Sequence, residues 1–167
     1  EITLIRASLE NCREQHFNHL TAYIGKLGEA EVALVKCGIG KVAASVSTSV
    51  VIHHFAPDFV INTGSAGGFS RQLNIGDIVI ATELRHHDAD LTHFGYEFGQ
   101  TAGMPAYFET DKNLLEHADK AAANLQDVQV QQGLICTGDS FVGSDEAAAV
   151  IRQNFPSVCA VEMEGVA

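Results

Sequence analysis

The chain has 167 residues, with 10 Lys and Arg against 21 Asp and Glu, which leaves a formal net charge of −11. A hydrophobic content of 46% supports one folded core over residues 1–167 and excludes a disordered chain, while the acidic excess argues against nucleic acid, whose phosphates need Lys and Arg. No apolar run approaches the roughly 18 residues that span a bilayer, and no charged-then-apolar leader is present, so no membrane partner is expected.

In chain order, Ile2, Ile5, Leu9 and Cys12 recur at helical spacing and predict an amphipathic helix. Leu20–Leu27 and Ala30–Cys37 read as two strands joined at Gly28-Glu29, a hairpin signal. Lys41–Phe55 predicts a Val-rich helix buried on most sides, closed by His53-His54 and followed by Pro57-Asp58. Phe59–Asn62 reads as a short buried strand, Gly64–Gly68 as a glycine-rich turn at its carboxyl end, and Ile78–Thr82 as another buried strand. Residues 83–110 carry little periodicity and many His, Tyr, Phe and Gly, the mark of a long functional or interface loop. Asp111 caps a helix to about Leu125, Val128–Cys136 is a strand, and Ser144 starts a helix ending near Phe155-Pro156. Val158–Val161 reads as a buried strand, and the chain stops soon after it; with Glu rather than Met at position 1, a fragment of a longer domain is expected.

Strands alternating with helices after an initial hairpin predict an α/β fold with a mixed, largely parallel sheet. Ligands bind beyond the carboxyl ends of the strands in such sheets, which directs attention to residues 62–68, 137–143 and 162–165. Asn62–Gly68 offers backbone N–H groups and hydroxyls without a Walker or Rossmann pattern, and a plain tight turn is its competing reading. Glu162 and Glu164 share one face if the strand geometry persists past Val161, and a carboxylate there can accept two hydroxyls of a sugar diol, with Met163 against an apolar sugar face. A solvated edge is the bland alternative for two glutamates, weakened by the apolar run before them. Arg85–Asp90 holds two adjacent His whose side chains diverge on extended backbone, so hydrogen-bonded structural His are favoured over a metal site. The four cysteines, Cys12, Cys37, Cys136 and Cys159, lie far apart with no C-x-x-C pair, which favours a reduced, cytoplasmic protein.

Five segments occur together in order: Cys37-Gly38-Ile39-Gly40-Lys41-Val42-Ala43-Ala44, Ile61–Gly68, His87–Asp90 with Phe94-Gly95-Tyr96, Thr137-Gly138-Asp139-Ser140-Phe141, and Val161-Glu162-Met163-Glu164. The set closely resembles the bacterial 5′-methylthioadenosine/S-adenosylhomocysteine nucleosidases of the nucleoside phosphorylase superfamily, over essentially the whole chain. The resemblance implies a mixed sheet curling toward a barrel with flanking helices, a homodimer, and no cofactor or metal. It implies hydrolysis of the N-glycosidic bond of adenine thionucleosides, giving adenine and a 5-thio-substituted ribose, as in methionine salvage and removal of S-adenosylmethionine by-products.

Carried over by position, the resemblance makes Glu1 the base that orients and deprotonates the attacking water, and Glu164 the acid that holds the ribose 2′- and 3′-hydroxyls. Met163 becomes a sugar-face contact, Phe141 the aromatic that stacks on adenine, and Val142 the residue whose backbone reads its edge. Ser65, Ala66 and Gly67 line the base and water pocket, and Leu91 and Phe94 are lent to the partner subunit's thio-substituent pocket. Ala102 stands where well-known members have Pro. The first strand before Glu1, and the Ser-Asp-x-Ala-Asp segment whose aspartate protonates adenine, are not in the sequence as it stands, so this stretch alone is expected to be nearly inactive. Purine or uridine nucleoside phosphorylases are the rival enzymes, but phosphorolysis needs a cationic cradle, and none of Arg6, Arg13, Arg71, Arg85 and Arg152 falls within Gly64–Gly68. An aminofutalosine hydrolase shares these motifs, and an inactive nucleoside-binding fragment is the non-enzymatic alternative.

Overall fold

A computed structural model describes residues 2–167, and these divide into two compact units, one reaching to Gly64 and one running from Ser65 to Val166. The first contains α1 (Ile2–Ala7), β1 (Glu10–Phe17), β2 (Leu20–Leu27), β3 (Ala30–Val35) and α2 (Lys41–Phe55). Its three strands form an antiparallel sheet in the order β1-β2-β3. The hairpin expected at Gly28-Glu29 is present, with Leu27 paired to Ala30. The helix expected through Cys12 is not: α1 ends at Ala7, and Glu10–Phe17 pairs with β2 through a bulged register, Arg13 opposite Ile24 and Phe17 opposite Leu20. Backbone pairing with an apolar neighbour decides this strand, since its own side chains are almost all exposed.

Helix α2 runs over the expected residues but buries only one stripe, Ala44, Ser47 and Val51, while Val42, Val46 and Ile52 are exposed. Spacings of three and four put those buried residues on one face. The Ser47 hydroxyl donates to the Cys37 carbonyl at 2.9 Å, which ties this face to the chain leaving β3. Phe59–Asn62, expected as a buried strand, has no ladder and is exposed; no strand among the described residues pairs with it, and an extended segment without pairing is not a strand.

The second unit carries β4 (Gly67–Gly68), β5 (Ile78–His86), β6 (Phe108–Glu109), α3 (Lys112–Ala122), β7 (Val130–Thr137), α4 (Asp145–Asn154) and β8 (Val158–Glu162). Its five strands are ordered β4-β8-β7-β5-β6; β5, β7 and β8 are parallel, and the two short outer strands are antiparallel to their neighbours. The mixed, largely parallel sheet with helices is therefore present, and neither sheet closes into a barrel among the described residues. Helix crossovers join the parallel strands, as parallel pairing requires. Both helices start where the capping residues predict: Asp111 accepts the N–H groups of Asn113 and Leu114, and Ser144 accepts that of Ala147. Within residues 83–110, expected as loop, β5 extends to His86, a 3₁₀ turn covers Thr92–Phe94, and β6 adds an edge pairing. Asp77 clamps the start of the sheet, accepting the N–H of Asn74 at 2.6 Å and that of Gln129 at 3.1 Å.

The core of this unit joins Leu134 and Cys136 of β7, Val158 and Val161 of β8, Ile151 of α4, Phe69 and Phe155. Burial pushes the Cys136 thiol up to about 12 against the opposing pull of Arg85, so it packs as a neutral apolar group. All four cysteines are free thiols. No helix among the described residues is long and apolar enough to cross a membrane.

Gly99 shows how tightly the chain after β5 is laid against this core. Its φ is +87°, its N–H donates to the Ala89 carbonyl at 2.9 Å, and a Cβ added there would lie 2.5 Å from the His86 carbonyl oxygen and 2.9 Å from the Phe155 ring. Gly99→Ala therefore combines a left-handed backbone with overpacking, and a loss of about 2 kcal/mol is expected. Urea unfolding should show a clearly lower midpoint; a midpoint equal to that of the unsubstituted protein would contradict this packing.

Candidate active site

The second unit gathers four chain segments at the carboxyl ends of its parallel strands. Its order sets β8 between β4 and β7, with β5 beyond β7. Gly67 is paired with Val161, so Ala66 and Ser65, which precede Gly67, run toward the turn that follows Glu162. All three of Ser65, Ala66 and Gly67 are exposed. Ser65–Gly67, the segment that bears Phe141 and Val142, and Met163-Glu164 follow or flank neighbouring strands at this edge. Leu91 and Phe94 lie further along the chain after β5, and Glu1 lies outside the described residues.

The segment after β7 is fastened from both sides. The Thr137 carbonyl accepts the His87 N–H at 2.8 Å, the Gly138 N–H donates to the Glu162 carbonyl at 3.2 Å, and the Asp139 N–H donates to Asp88 Oδ2 at 2.8 Å. Thr137 is completely buried. Beyond this anchored stretch, Val142 packs its side chain against the core while Phe141 is 84% exposed. Alternation of a held and a free side chain presents the Phe141 ring as a flat apolar surface, a suitable stacking face for a planar base.

The strand geometry does not persist past Glu162. The chain turns at Met163, and Glu162 and Glu164 part company. The Glu162 carboxylate folds back: Oε2 accepts the N–H groups of Glu164 and Gly165, each at 2.7 Å, and Oε1 accepts the Thr137 hydroxyl. The two glutamates, expected to share one face, divide instead, and the first binds the backbone. The signal available was Glu-x-Glu-Gly directly after four apolar strand residues, where a solvated edge is least expected.

Leu91 and Phe94 lie on the turn that follows β5. Asp90 shapes that turn, its Oδ1 accepting the Thr92 hydroxyl at 2.7 Å and the Thr92 N–H at 3.0 Å. These bonds, the hydroxyl first, hold the Asp90 carboxyl below the usual carboxylate range. Leu91 is half-buried and Phe94 is 73% exposed. Among the described residues no group of three or more His, Cys, Asp or Glu is arranged to hold a metal ion.

Residues 1–167 match the phosphorylase superfamily. A 5′-methylthioadenosine/S-adenosylhomocysteine nucleosidase of Shewanella loihica is 50% identical over 167 residues, spanning all of this chain and 73% of that protein. One from Anoxybacillus flavithermus is 48% identical over the same length, with 72% of it covered. Among solved structures, the nucleosidase from Neisseria meningitidis in complex with methylthio-immucillin-A superposes with a TM-score of 0.97 at 48% identity, covering 99% of this chain and 71% of that one. The nucleosidase from Colwellia psychrerythraea in complex with adenine gives 0.96 at 43% identity, with coverages of 99% and 69%.

Because Asp90 is the acceptor for both Thr92 donors, Asp90→Ala should loosen the turn carrying Leu91 and Phe94. Hydrogen exchange at the Thr92 amide is expected to accelerate at neutral pH. In the unsubstituted protein the same loosening should appear only in acid, because a carboxylate with a lowered pKa keeps its contribution until pH falls through that lowered value. Unchanged Thr92 exchange in the variant would contradict this account of the turn.

Proposed function

The chain belongs to the phosphorylase superfamily, among its 5′-methylthioadenosine/S-adenosylhomocysteine nucleosidases, and from that membership we propose how its residues divide the reaction. The enzyme is an N-glycosyl hydrolase that splits 5′-methylthioadenosine and S-adenosylhomocysteine into adenine and the 5-thioribose derivative. Cleavage of this bond passes through a ribosyl cation-like transition state, which nearby carboxylates stabilise. Glu164 holds the 2′- and 3′-hydroxyls of the ribose, and Met163 lies against the sugar face. Glu1 activates the attacking water. Phe141 stacks on adenine, the Val142 backbone reads the base edge, and Ser65, Ala66 and Gly67 line the base and water side. Protonation of the departing base is assigned to none of these residues.

The observation that carries these roles is the position of Met163 and Glu164 on a turn held at the carboxyl end of β8, between the segments that bear Ser65–Gly67 and Phe141. Water is favoured over phosphate because no arginine falls within Gly64–Gly68 and two of this unit's three arginines are engaged elsewhere. Arg85 pairs with Glu83 at 3.1 Å and stacks over Tyr107, and Arg152 lies 4.5 Å over the Phe69 ring. The substrates carry no phosphate, so an acidic protein meets no repulsion in binding them.

We extend the reading to a homodimer in which Leu91 and Phe94 complete the partner subunit's thio-substituent pocket; the exposure of Phe94 supports this. Four thiols without a disulfide support a cytoplasmic setting.

Adenine release from 5′-methylthioadenosine by the intact enzyme should be the same with and without phosphate; release that requires phosphate would overturn the hydrolase mechanism. Glu164→Gln should lower kcat/KM by about 10²-fold or more with an unchanged circular dichroism spectrum, since it removes charge from the transition state. Glu1→Gln should abolish turnover while retaining inhibitor binding, and full turnover in that variant would remove Glu1 from the mechanism.

A further inference from the structure

Glutamates at strand ends are normally solvated, yet the carboxylate of Glu162 is occupied by three protein donors. Two are the consecutive N–H groups of Glu164 and Gly165 at 2.7 Å, and the third is the hydroxyl of the fully buried Thr137. The Glu162 carbonyl also accepts the Gly138 N–H. One residue thus joins the end of β7 to the turn after β8. Two successive N–H groups on one oxygen leave the intervening backbone little freedom. Gly165 makes room for this arrangement: a Cβ there would lie 2.8 Å from Leu84 Cδ2 and 3.1 Å from Glu162 Oε1.

We propose that Glu162 is a positioning residue of this site, whose carboxylate sets the backbone of the Glu162–Gly165 turn and thereby the register of Glu164 against the ribose diol. The inference rests on the reading of Glu164 as the diol-binding acid. Both Glu162 oxygens are engaged by protein donors, so the sugar is assigned to Glu164, whose N–H is held in the turn. A misplacement of about 1 Å in such a group can cost about 10²-fold in rate without touching the reacting atoms.

The test compares kcat/KM for 5′-methylthioadenosine with that for its 3′-deoxy analogue, using the intact enzyme. The ratio of the two reads recognition of the hydroxyl, which a purely structural role would leave alone. Glu162→Ala should lower kcat/KM for the ribonucleoside about 10²-fold and bring the ratio close to that of Glu164→Gln. Glu162→Gln should recover most of it, because the amide oxygen can accept the two N–H groups while the amide nitrogen donates to the Thr137 oxygen. If Glu162→Ala does not fold, Glu162→Asp, one methylene short of reaching all three donors, should show the same collapse of the ratio. A ratio unchanged in the Ala or Asp variant, with only a lower melting temperature, would reduce Glu162 to a structural residue and overturn the proposal. A Gln variant as damaged as Ala would point to the charge rather than the hydrogen bonds, and would overturn it too. If Glu164→Gln itself leaves the ratio intact, the diol reading fails first and the proposal falls with it; a collapse in Glu164→Gln alone leaves that reading standing and removes only the role of Glu162.

Discussion

The carboxylate of Glu162 accepts hydrogen bonds from Thr137 on one side and from the Glu164 and Gly165 backbone on the other. The backbone of Met163 and Glu164 is set by that junction. Without an acceptor there, two backbone N–H groups and a buried hydroxyl would lose their partner, and leaving such donors unsatisfied costs about 1–3 kcal/mol each. The arrangement lets the chain leave a buried strand abruptly while keeping the residues just past it in fixed positions. A site that must distinguish a transition state from its substrate needs such fixed groups, because their reorganisation would otherwise be part of the barrier.

The sheet supplies the rest of the frame. Parallel β5, β7 and β8 all deliver their carboxyl ends to one edge, and β4 returns antiparallel beside β8, so its Gly67 faces Val161. Backbone bonds between the segments after those strands, His87 to Thr137 and Gly138 to Glu162, carry the order of the ladder one residue beyond it. Loops placed in this way inherit rigidity from the strands rather than generating their own. That explains how Phe141 can be exposed yet well placed: its neighbour Val142 packs into the core.

Much of this was legible in the sequence because the signals were local. Asp111 and Ser144 announced their helices by capping chemistry, Gly28-Glu29 its hairpin, and the apolar run Val158–Val161 its buried strand. Where the deciding force was not local, the pattern misled. Ile2, Ile5, Leu9 and Cys12 fall at helical spacing, yet Glu10–Phe17 is a strand because β2 offers it a ladder, which no periodicity in a polar octet can reveal. Phe59–Asn62 is apolar enough for a strand, but strands are made by pairing, and none of the described residues provides it. Five ordered motifs point to the family, whereas the hydrogen bonds of Glu162 have no such signal: two glutamates in a row of three look equivalent until the backbone turns between them.

The central claim is that Glu162 serves the backbone so that Glu164 can serve the sugar. A crystal structure of the intact enzyme with a nonhydrolysable adenine thionucleoside tests it most directly. The account predicts the Glu164 carboxylate within hydrogen-bond distance of both ribose hydroxyls, with Glu162 still accepting from Thr137, Glu164 and Gly165. Ribose hydroxyls held by another residue, or Glu162 released from the turn to bind them, would contradict it.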